Sequence, residues 1–427
     1  MTSITALYMK NTSICLLLAV LIWPLQQNLL AQTSTVPSND RYQTVIVDSL
    51  YSSTLKEYRR FWVNLPENYN PNSNEKYPVV YLLDGFSLQN TLETVYENYW
   101  GHYLPHMILV GISNESNRTR DLTTTQIKMR RGAAMDAATG GAPNFSEFIA
   151  DELIPQIDKT YPTTPYRTLM GHSYAGLFTI HMLLEYPEVF KNYIAMDPSI
   201  EWDQQEILKR AKKQLSTENF KGKSLFVSLA AEQLHMFDAS VTVDNIMEDT
   251  SEFTLFARSI IEFSKFTESQ ANGLNFSWKI YPEDLHGTVP LPSMRDGLVS
   301  LFEWYQFKSP QVYNNPETSV ATIKQLLKKQ EEIYTNAFGY KVPPMVEEML
   351  NGYGYMNLQM GQPDKAFLFF QTNIDYFPNS ANAYDSMADY YESKEDKAKA
   401  LTFVTKAYEL SGSEYYKERM QKLSDKK

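Results

Sequence analysis

The stretch YRTLMGHSYAGLFTIHMLLE, residues 166–185, predicts a buried strand, a sharp turn and a helix in immediate succession. The apolar run before the turn is typical of a strand covered on both faces. The spacing of the apolar residues after the turn is typical of a helix. Ser173 stands at the turn, with the small residues Gly171, Ala175 and Gly176 around it. Such a turn lifts a serine hydroxyl above the edge of a sheet, so Ser173 is a candidate nucleophile. Ala175, rather than a glycine, stands two positions after Ser173.

The segments around this stretch alternate between strand-like and helix-like patterns. Residues 42–65 alternate apolar and polar positions in two runs, which predicts two antiparallel strands. The other predicted strands are short apolar runs at 79–85, 106–113, 192–199, 224–232 and 275–283, and helical patterns lie between several of them. This order predicts an α/β fold with a mostly parallel sheet and helices on both faces. Ligands of such sheets bind at the carboxyl ends of the strands.

The pattern changes after about Gln306. Residues 311–427 have helical periodicity and no convincing strand, so we expect residues 42–306 and 311–427 to form separate domains. A repeat of 34 residues relates Ala366 to Ala400, which is the tetratricopeptide period. A helical bundle without a peptide groove remains the alternative. Protein partners, if there are any, are expected at these helices.

Composition excludes several classes of protein. The chain has 427 residues, 43% of them hydrophobic, which is enough for large apolar cores. A net charge of −11 argues against nucleic-acid partners. Cys15 is the only cysteine, so neither a disulfide scaffold nor a cysteine-ligated zinc site is expected. The sequence contains no dinucleotide fingerprint, P-loop or metal motif, and we therefore expect no cofactor and no metal.

The amino terminus predicts export. Lys10 precedes the apolar run 13–25, and small residues allow cleavage near Ala31 or Gln32. The run is short for a membrane span, although an uncleaved anchor is the alternative. Residues 1–31 are thus expected to be a signal peptide, and the mature protein to be periplasmic or secreted.

A serine nucleophile needs a base and usually a carboxylate that orients the base. His286, in YPEDLHGTVP, is the histidine that follows the last predicted strand. Glu232 directly follows the preceding strand and is the preferred acid. Asp238 and Asp197 are the alternatives, and a serine and histidine without any carboxylate are also conceivable.

The transition state of acyl transfer also needs two N–H donors for its oxyanion. Tyr174 follows Ser173 directly, and Phe86 lies in the loop after VVYLLDG. These two residues are the predicted donors. Gly85 would let the backbone of that loop approach the substrate. Arg118 is positioned either to bind an acidic substrate or to hold a loop in place.

Several motifs resemble one esterase family when taken together. The motifs are KYPVVYLLDG, ILVGISN, NFSEFIADELIPQIDKTYPTTPYRTLMGHSYAGLF, MDPSIEWD and LHGTVPLPSMRDGL, and their order and spacing are similar to those of the family of enterochelin esterases, esterase D and feruloyl and acetyl esterases. The resemblance covers about residues 42–306 and is strongest to the esterases of trilactone siderophores. Ala175, and Asp197 where a small hydroxyl residue is common, depart from the family pattern.

The resemblance implies an α/β-hydrolase fold and ester hydrolysis by Ser173 and His286, with oxyanion donors at Phe86 and Tyr174. Asp197 and Trp202, in MDPSIEWD, are assigned with Gly85 to substrate binding. The expected substrate is a small-molecule or glycan-linked ester. The competing hypothesis is a protein-interaction module in which the helical repeats bind a partner and the hydrolase domain is a scaffold.

Overall fold

The computed structural model describes residues 34–36, 45–66, 69, 71, 75–130, 132–235 and 237–424. The predicted signal peptide, residues 1–31, lies outside these ranges. The strands are β1 Ser34–Val36, β2 Val45–Ser52, β3 Glu57–Asn64, β4 Tyr77–Leu82, β5 Ile108–Ile112, β6 Met129–Arg130, β7 Ala133–Ala134, β8 Thr163–His172, β9 Asn192–Met196, β10 Ser224–Ala230 and β11 Asn275–Tyr281.

The α-helices surround these strands in chain order, and a π-helical segment, Phe148–Leu153, joins the third helix to the fourth. They are α1 Gly85–Tyr99, α2 Arg118–Leu122, α3 Ala142–Glu147, α4 Ile154–Thr160, α5 Tyr174–Glu185, α6 Trp202–Thr217, α7 Leu255–Gln270, α8 Pro290–Leu301, α9 Val320–Phe338, α10 Glu347–Gln359, α11 Pro363–Tyr376, α12 Ala381–Ser393, α13 Lys397–Ser411 and α14 Glu414–Ser424. None of the helices in the described ranges is both long and apolar enough to cross a membrane.

One sheet contains all these strands except the β6–β7 hairpin, in the order β1-β2-β3-β5-β4-β8-β9-β10-β11. The strands from β5 to β11 in this order pair in parallel, whereas β1, β2 and β3 are antiparallel to their neighbours. The mostly parallel sheet predicted from the sequence is therefore confirmed. Its parallel part brings the carboxyl ends of β4, β8, β9, β10 and β11 to one edge.

Apolar side chains cover both faces of the sheet, because alternate residues of a strand point to opposite sides. In β4, Val79 and Tyr81 belong to one buried cluster, and Val80 and Leu82 belong to the other. Helix α5, which follows Ser173, is buried along almost its whole length. The sheet and α5 thus form a rigid platform for the residues at the sheet edge.

The helical nature of the carboxyl-terminal region is also confirmed, since its α-helices α9–α14 follow one another without a strand in the described residues 311–424. Helix α12 begins 34 residues after α10, and α13 begins 34 residues after α11, in agreement with the period found in the sequence. Whether these helices are a tetratricopeptide array remains a prediction.

Helix α9 packs against residues of the large sheet through aromatic side chains. The Phe338 ring lies 5.2 Å from the ring of Tyr166, near the start of β8. The Tyr340 hydroxyl, just after α9, donates to the carbonyl oxygen of Lys76, the residue before β4, at 2.8 Å. These contacts lie at the amino ends of β4 and β8, whereas Ser173 follows the carboxyl end of β8. At these contacts, therefore, α9 lies away from the edge that carries Ser173.

Candidate active site

The carboxyl edge of the sheet carries the predicted catalytic positions. They are Asp84–Phe86 after β4, Ser173 after β8, Asp197 after β9, Glu232 after β10 and His286 after β11. Non-glycine residues with positive φ are concentrated here, since Asp84, Ser173 and Asp197 have φ values of 55°, 62° and 43°. Such conformations are unfavourable for these residues, so the surrounding structure must hold them in place.

Backbone hydrogen bonds fix the turn at Ser173. Its N–H donates to the carbonyl oxygen of Met196 at 3.0 Å, and its own carbonyl oxygen accepts from the N–H of Ser199 at 3.0 Å. The Ser173 hydroxyl lies 3.4 Å from the hydroxyl of Ser199. A side chain at Gly176 would lie 2.9 Å from Pro198. The turn is therefore fixed to the loop after β9, which also carries Asp197.

Gly171 tests how tightly the turn is packed. A Cβ atom there would lie 2.4 Å from the carbonyl oxygen of Ala175 and 2.6 Å from its Cβ, so the backbone would have to move. We expect Gly171→Ala to lower the free energy of unfolding by about 3 kcal/mol, as measured by chemical denaturation. The matched control is Gly352→Ala in α10, where a Cβ meets nothing within 4 Å and should stabilise the helix by about 1 kcal/mol. Equal stability of the two variants would contradict the packing of the turn.

The acid next to the histidine is Asp197. Its Oδ2 lies 2.6 Å from Nδ1 of His286, and its Oδ1 accepts from the N–H of Ala230 at 3.0 Å. The side chain of Asp197 is 1% exposed, whereas that of His286 is 48% exposed. Burial raises the pKa of Asp197 above its ordinary value, and the hydrogen bond from His286 and its charge act in the opposite direction. A fixed, buried carboxylate therefore orients a histidine on an accessible loop.

The sequence-based preference for Glu232 is not supported by this geometry. Glu232 is exposed, and its N–H donates to the carbonyl oxygen of Asp284. Asp238 is also exposed and accepts hydrogen bonds from the N–H and hydroxyl of Ser240. Asp197 was among the alternatives because it directly follows a strand. Its near-complete burial, which distinguishes it from the other two, depends on neighbours distant in sequence.

Two other rings contact the imidazole ring of His286. The ring of His172 lies 4.4 Å away, and Phe256 contacts it edge-on at 5.4 Å. Burial lowers the pKa of His172 to about 3, and the charges of His286 and Arg118 act in the same direction. His172 is therefore neutral at neutral pH. Sequence reasoning treated it only as the variable residue of the turn.

The predicted oxyanion donors both lie in the first turn of a helix, Phe86 in α1 and Tyr174 in α5. N–H groups there have no acceptor within their own helix and are free to bind an anion. Arg118 links the two loops, since its Nε donates to both carboxylate oxygens of Asp84 and its Nη2 donates to the carbonyl oxygen of His172. This geometry agrees with the loop-holding interpretation of Arg118.

Two residues assigned to substrate binding have structural contacts instead. A Cβ at Gly85 would lie 2.7 Å from the backbone of Gly111, so the glycine lets α1 pack closely against β5. Trp202 is 1% exposed, and its Nε1 donates to the Thr125 hydroxyl at 3.0 Å. Asp197, the third assigned residue, holds His286. Position at the sheet edge alone did not reveal which of these residues face the substrate and which make structural contacts.

Arg130 is a residue of the site that sequence reasoning missed. Its guanidinium lies over the rings of Tyr174 and Trp202, 5.1 and 5.4 Å from their centroids. It also donates to the Tyr174 hydroxyl and to the buried carboxylate of Glu201. Nothing in the sequence around residue 130 marks it, because it reaches the site from the separate β6–β7 hairpin.

The described residues also bring together a group that can bind a metal ion. His172, Asp197 and His286 each offer one ligand atom, and these atoms lie within 4.8 Å of one another. The sequence has no local motif for this cluster, because its members follow three different strands. It is a candidate metal site in a chain whose sequence predicts none.

Comparison with known proteins identifies relatives of this site. The family described as "Putative esterase" matches residues 52–245. The ferri-bacillibactin esterase BesA of Bacillus subtilis is 31% identical over 233 residues, which are 50% of this chain and 80% of that protein. The siderophore triacetylfusarinine C esterase of Aspergillus fumigatus is 30% identical over 176 residues, which are 37% of this chain and 57% of that protein.

Solved structures agree with these sequence matches. An IroE-like serine hydrolase from Shewanella oneidensis has a TM-score of 0.64 and 28% identity, and covers 77% of this chain and 99% of its own. An uncharacterised protein from Capnocytophaga ochracea has a TM-score of 0.55 and covers 89% of this chain and 99% of its own, and its 18% identity supports the fold alone. With four-fifths of a 31% identical esterase covered, the chain belongs to the "Putative esterase" family of α/β-hydrolases, and this family and its esterase relatives support an ester hydrolase.

Proposed function

We propose that the protein is a serine esterase that forms an acyl-enzyme on Ser173. His286 acts as the base, Asp197 orients it, and the N–H groups of Phe86 and Tyr174 stabilise the oxyanion. The observation that carries this proposal is the 2.6 Å contact between Asp197 and His286 at the sheet edge where Ser173 has a strained backbone. An interaction scaffold has no need of such a buried carboxylate or such a strained serine.

The hydrogen bond to Asp197 occupies Nδ1 of His286, which leaves Nε2 to accept the Ser173 proton. The serine oxygen attacks the ester carbonyl carbon, and the carbonyl electrons move to the oxygen that faces the two N–H donors. Collapse of this intermediate breaks the bond to the leaving alcohol, which takes the proton from His286. Water then attacks the acyl-enzyme by the same route, and the free acid and Ser173 are regenerated.

We propose that the substrate is a siderophore ester. The support comes from relatives that are named for ferri-bacillibactin and triacetylfusarinine C. Aromatic and cationic groups also surround the site, because Phe86 is 63% exposed and Arg118 and Arg130 both lie over the Tyr174 ring. Phe86 and the Tyr174 ring offer aromatic surface to a substrate, whereas the charges of Arg118 and Arg130 are paired with Asp84 and Glu201.

A panel of esters tests the substrate class. We expect kcat/KM for ferri-bacillibactin or triacetylfusarinine C to exceed that for feruloylated and acetylated oligosaccharides by about 100-fold. Each ester is measured with wild type and with Ser173→Ala as the blank. Equal or faster hydrolysis of the oligosaccharide esters would overturn the siderophore proposal and leave the esterase proposal intact.

Export remains part of this proposal. The predicted cleavage near Ala31 or Gln32 would place the active protein outside the cytoplasm, where it would meet siderophores that arrive from the medium. Amino-terminal sequencing of protein recovered from its host tests this point, and a protein that retains the apolar run 13–25 would contradict it.

A further inference from the structure

The cluster of His172, Asp197 and His286 has the composition of a transition-metal site. Two imidazoles and one carboxylate form a common ligand set for Zn²⁺, with water completing the tetrahedron. One ligand atom of each residue lies within 4.8 Å of the others. The esterase mechanism uses Asp197 and His286 and gives no chemical role to the His172 ring.

The state of the His172 ring also points to a ligand. Its Nε2 is buried and has no hydrogen-bond partner among the described residues. Most buried side-chain nitrogens have a partner, so this atom is open to a ligand or to a water molecule. The ring centroid lies 4.4 Å from that of His286, and one nitrogen of each ring lies within 4.8 Å of the other.

We propose that Zn²⁺ binds His172, Asp197 and His286 and reversibly inhibits the enzyme. The inhibition by zinc rests on the proposed esterase function, whereas the binding of zinc does not. When zinc binds, a metal–nitrogen bond replaces the Nδ1–H bond of His286, and the proton is released to solvent. With Asp197 and Nδ1 both on the metal, His286 loses the orientation that proton transfer from Ser173 requires.

The geometry allows this exchange at a modest displacement. Ligand atoms of a tetrahedral zinc ion lie about 3.3 Å apart, given bond lengths near 2.0 Å. The Asp197–His286 contact is 2.6 Å, so these two atoms must separate by less than 1 Å, and the His172 ligand atom, which lies within 4.8 Å of the other two, must approach them by up to about 1.5 Å. Asp197 is held by the N–H of Ala230, whereas half-exposed His286 lies in a surface loop. The histidine is therefore the residue that moves.

Two measurements test the metal site. In the first, zinc inhibits ester hydrolysis by wild type, EDTA restores the rate, and Mg²⁺, which prefers oxygen ligands, has no effect. His172→Phe keeps an aromatic ring beside His286 but has no ligand atom. Loss of an outer-shell partner alone weakens metal binding about 10- to 100-fold, so loss of His172 should raise the inhibitory zinc concentration at least about 100-fold. Inhibition is expressed relative to each variant's own metal-free rate.

The second measurement does not depend on turnover. Ser173→Ala retains all three ligands, and Co²⁺ should give it the visible absorption of a tetrahedral site, which the double variant with His172→Phe lacks. If His172→Phe does not fold, His172→Ala takes its place in both measurements. Equal zinc inhibition with and without His172, or no cobalt spectrum in Ser173→Ala, would overturn the metal site. If cobalt binds to Ser173→Ala but wild type hydrolyses no ester, the metal site stands and the esterase proposal fails.

Discussion

Ser173→Ala is expected to lower kcat for ester hydrolysis by about 10⁶-fold and to change KM only a few-fold. The hydroxyl forms the covalent intermediate, and no other group at the sheet edge can replace it at that position. The oxyanion donors and the substrate contacts remain in the variant, so binding should persist. Single-turnover and steady-state kinetics, with an ester that the wild-type protein hydrolyses, measure kcat and KM.

Ser199→Ala is the matched control for this prediction. Its hydroxyl lies 3.4 Å from that of Ser173, and its N–H donates to the Ser173 carbonyl oxygen. The substitution removes the hydroxyl and keeps the backbone hydrogen bond, so we expect less than about a tenfold loss of kcat. If Ser199→Ala were as inactive as Ser173→Ala, the nucleophile would not be assigned correctly.

Asp197→Asn is expected to lower kcat by about 10⁴-fold, because an amide cannot hold His286 with its proton on Nδ1 or stabilise its charged form. The substitution keeps the size of the side chain and removes a buried charge, so the fold should persist. Because burial raises the pKa of Asp197, the carboxylate destabilises the folded state increasingly as the pH rises through that pKa. Thermal unfolding at pH 8 should therefore show no loss of stability in the variant.

Glu232→Gln tests whether the acid that orients His286 is Asp197 or Glu232, the residue that the sequence favoured. Glu232 is exposed, and among the described residues its hydrogen bond is made by its backbone N–H, so its substitution should change kcat by less than about threefold. A loss of activity in Glu232→Gln that matches the loss in Asp197→Asn would contradict the assignment of the acid.

The sequence predicted the parts of the fold that depend on local patterns. Alternating and continuous apolar runs gave the sheet, and the strand, turn and helix around Ser173 appeared where the small residues required them. The order of strands then determined that Ser173 and the loop of His286 meet at one edge. These inferences needed only periodicity, turn chemistry and the rule that parallel strands share their carboxyl ends.

The sequence could not reveal the contacts that depend on the burial of single side chains. Asp197, Glu232 and Asp238 all follow strands, and only the packing between β9 and β10 buries the first of them. The burial of Trp202 was equally unpredictable, because an aromatic residue near a site can either face the ligand or lie beneath the site. Arg130 comes from a two-strand hairpin that periodicity does not detect.

The position of the carboxyl-terminal helices was also beyond the sequence. The helical periodicity of residues 311–427 does not say where these helices pack, and α9 contacts the amino ends of β4 and β8. The large aromatic side chains of Tyr166, Trp304 and Phe338 determine this docking. The sequence predicts that such large aromatic side chains are buried, but it does not predict which part of the protein covers them.

Covalent labelling tests the central claim, that Ser173 is an activated nucleophile, most directly. The protein is incubated with a fluorophosphonate, and its intact mass and peptide map are recorded. The account predicts a single adduct on the peptide that contains Ser173, retained in Ser199→Ala and absent in Ser173→Ala. An adduct on another serine, or no adduct on folded wild-type protein, would contradict it.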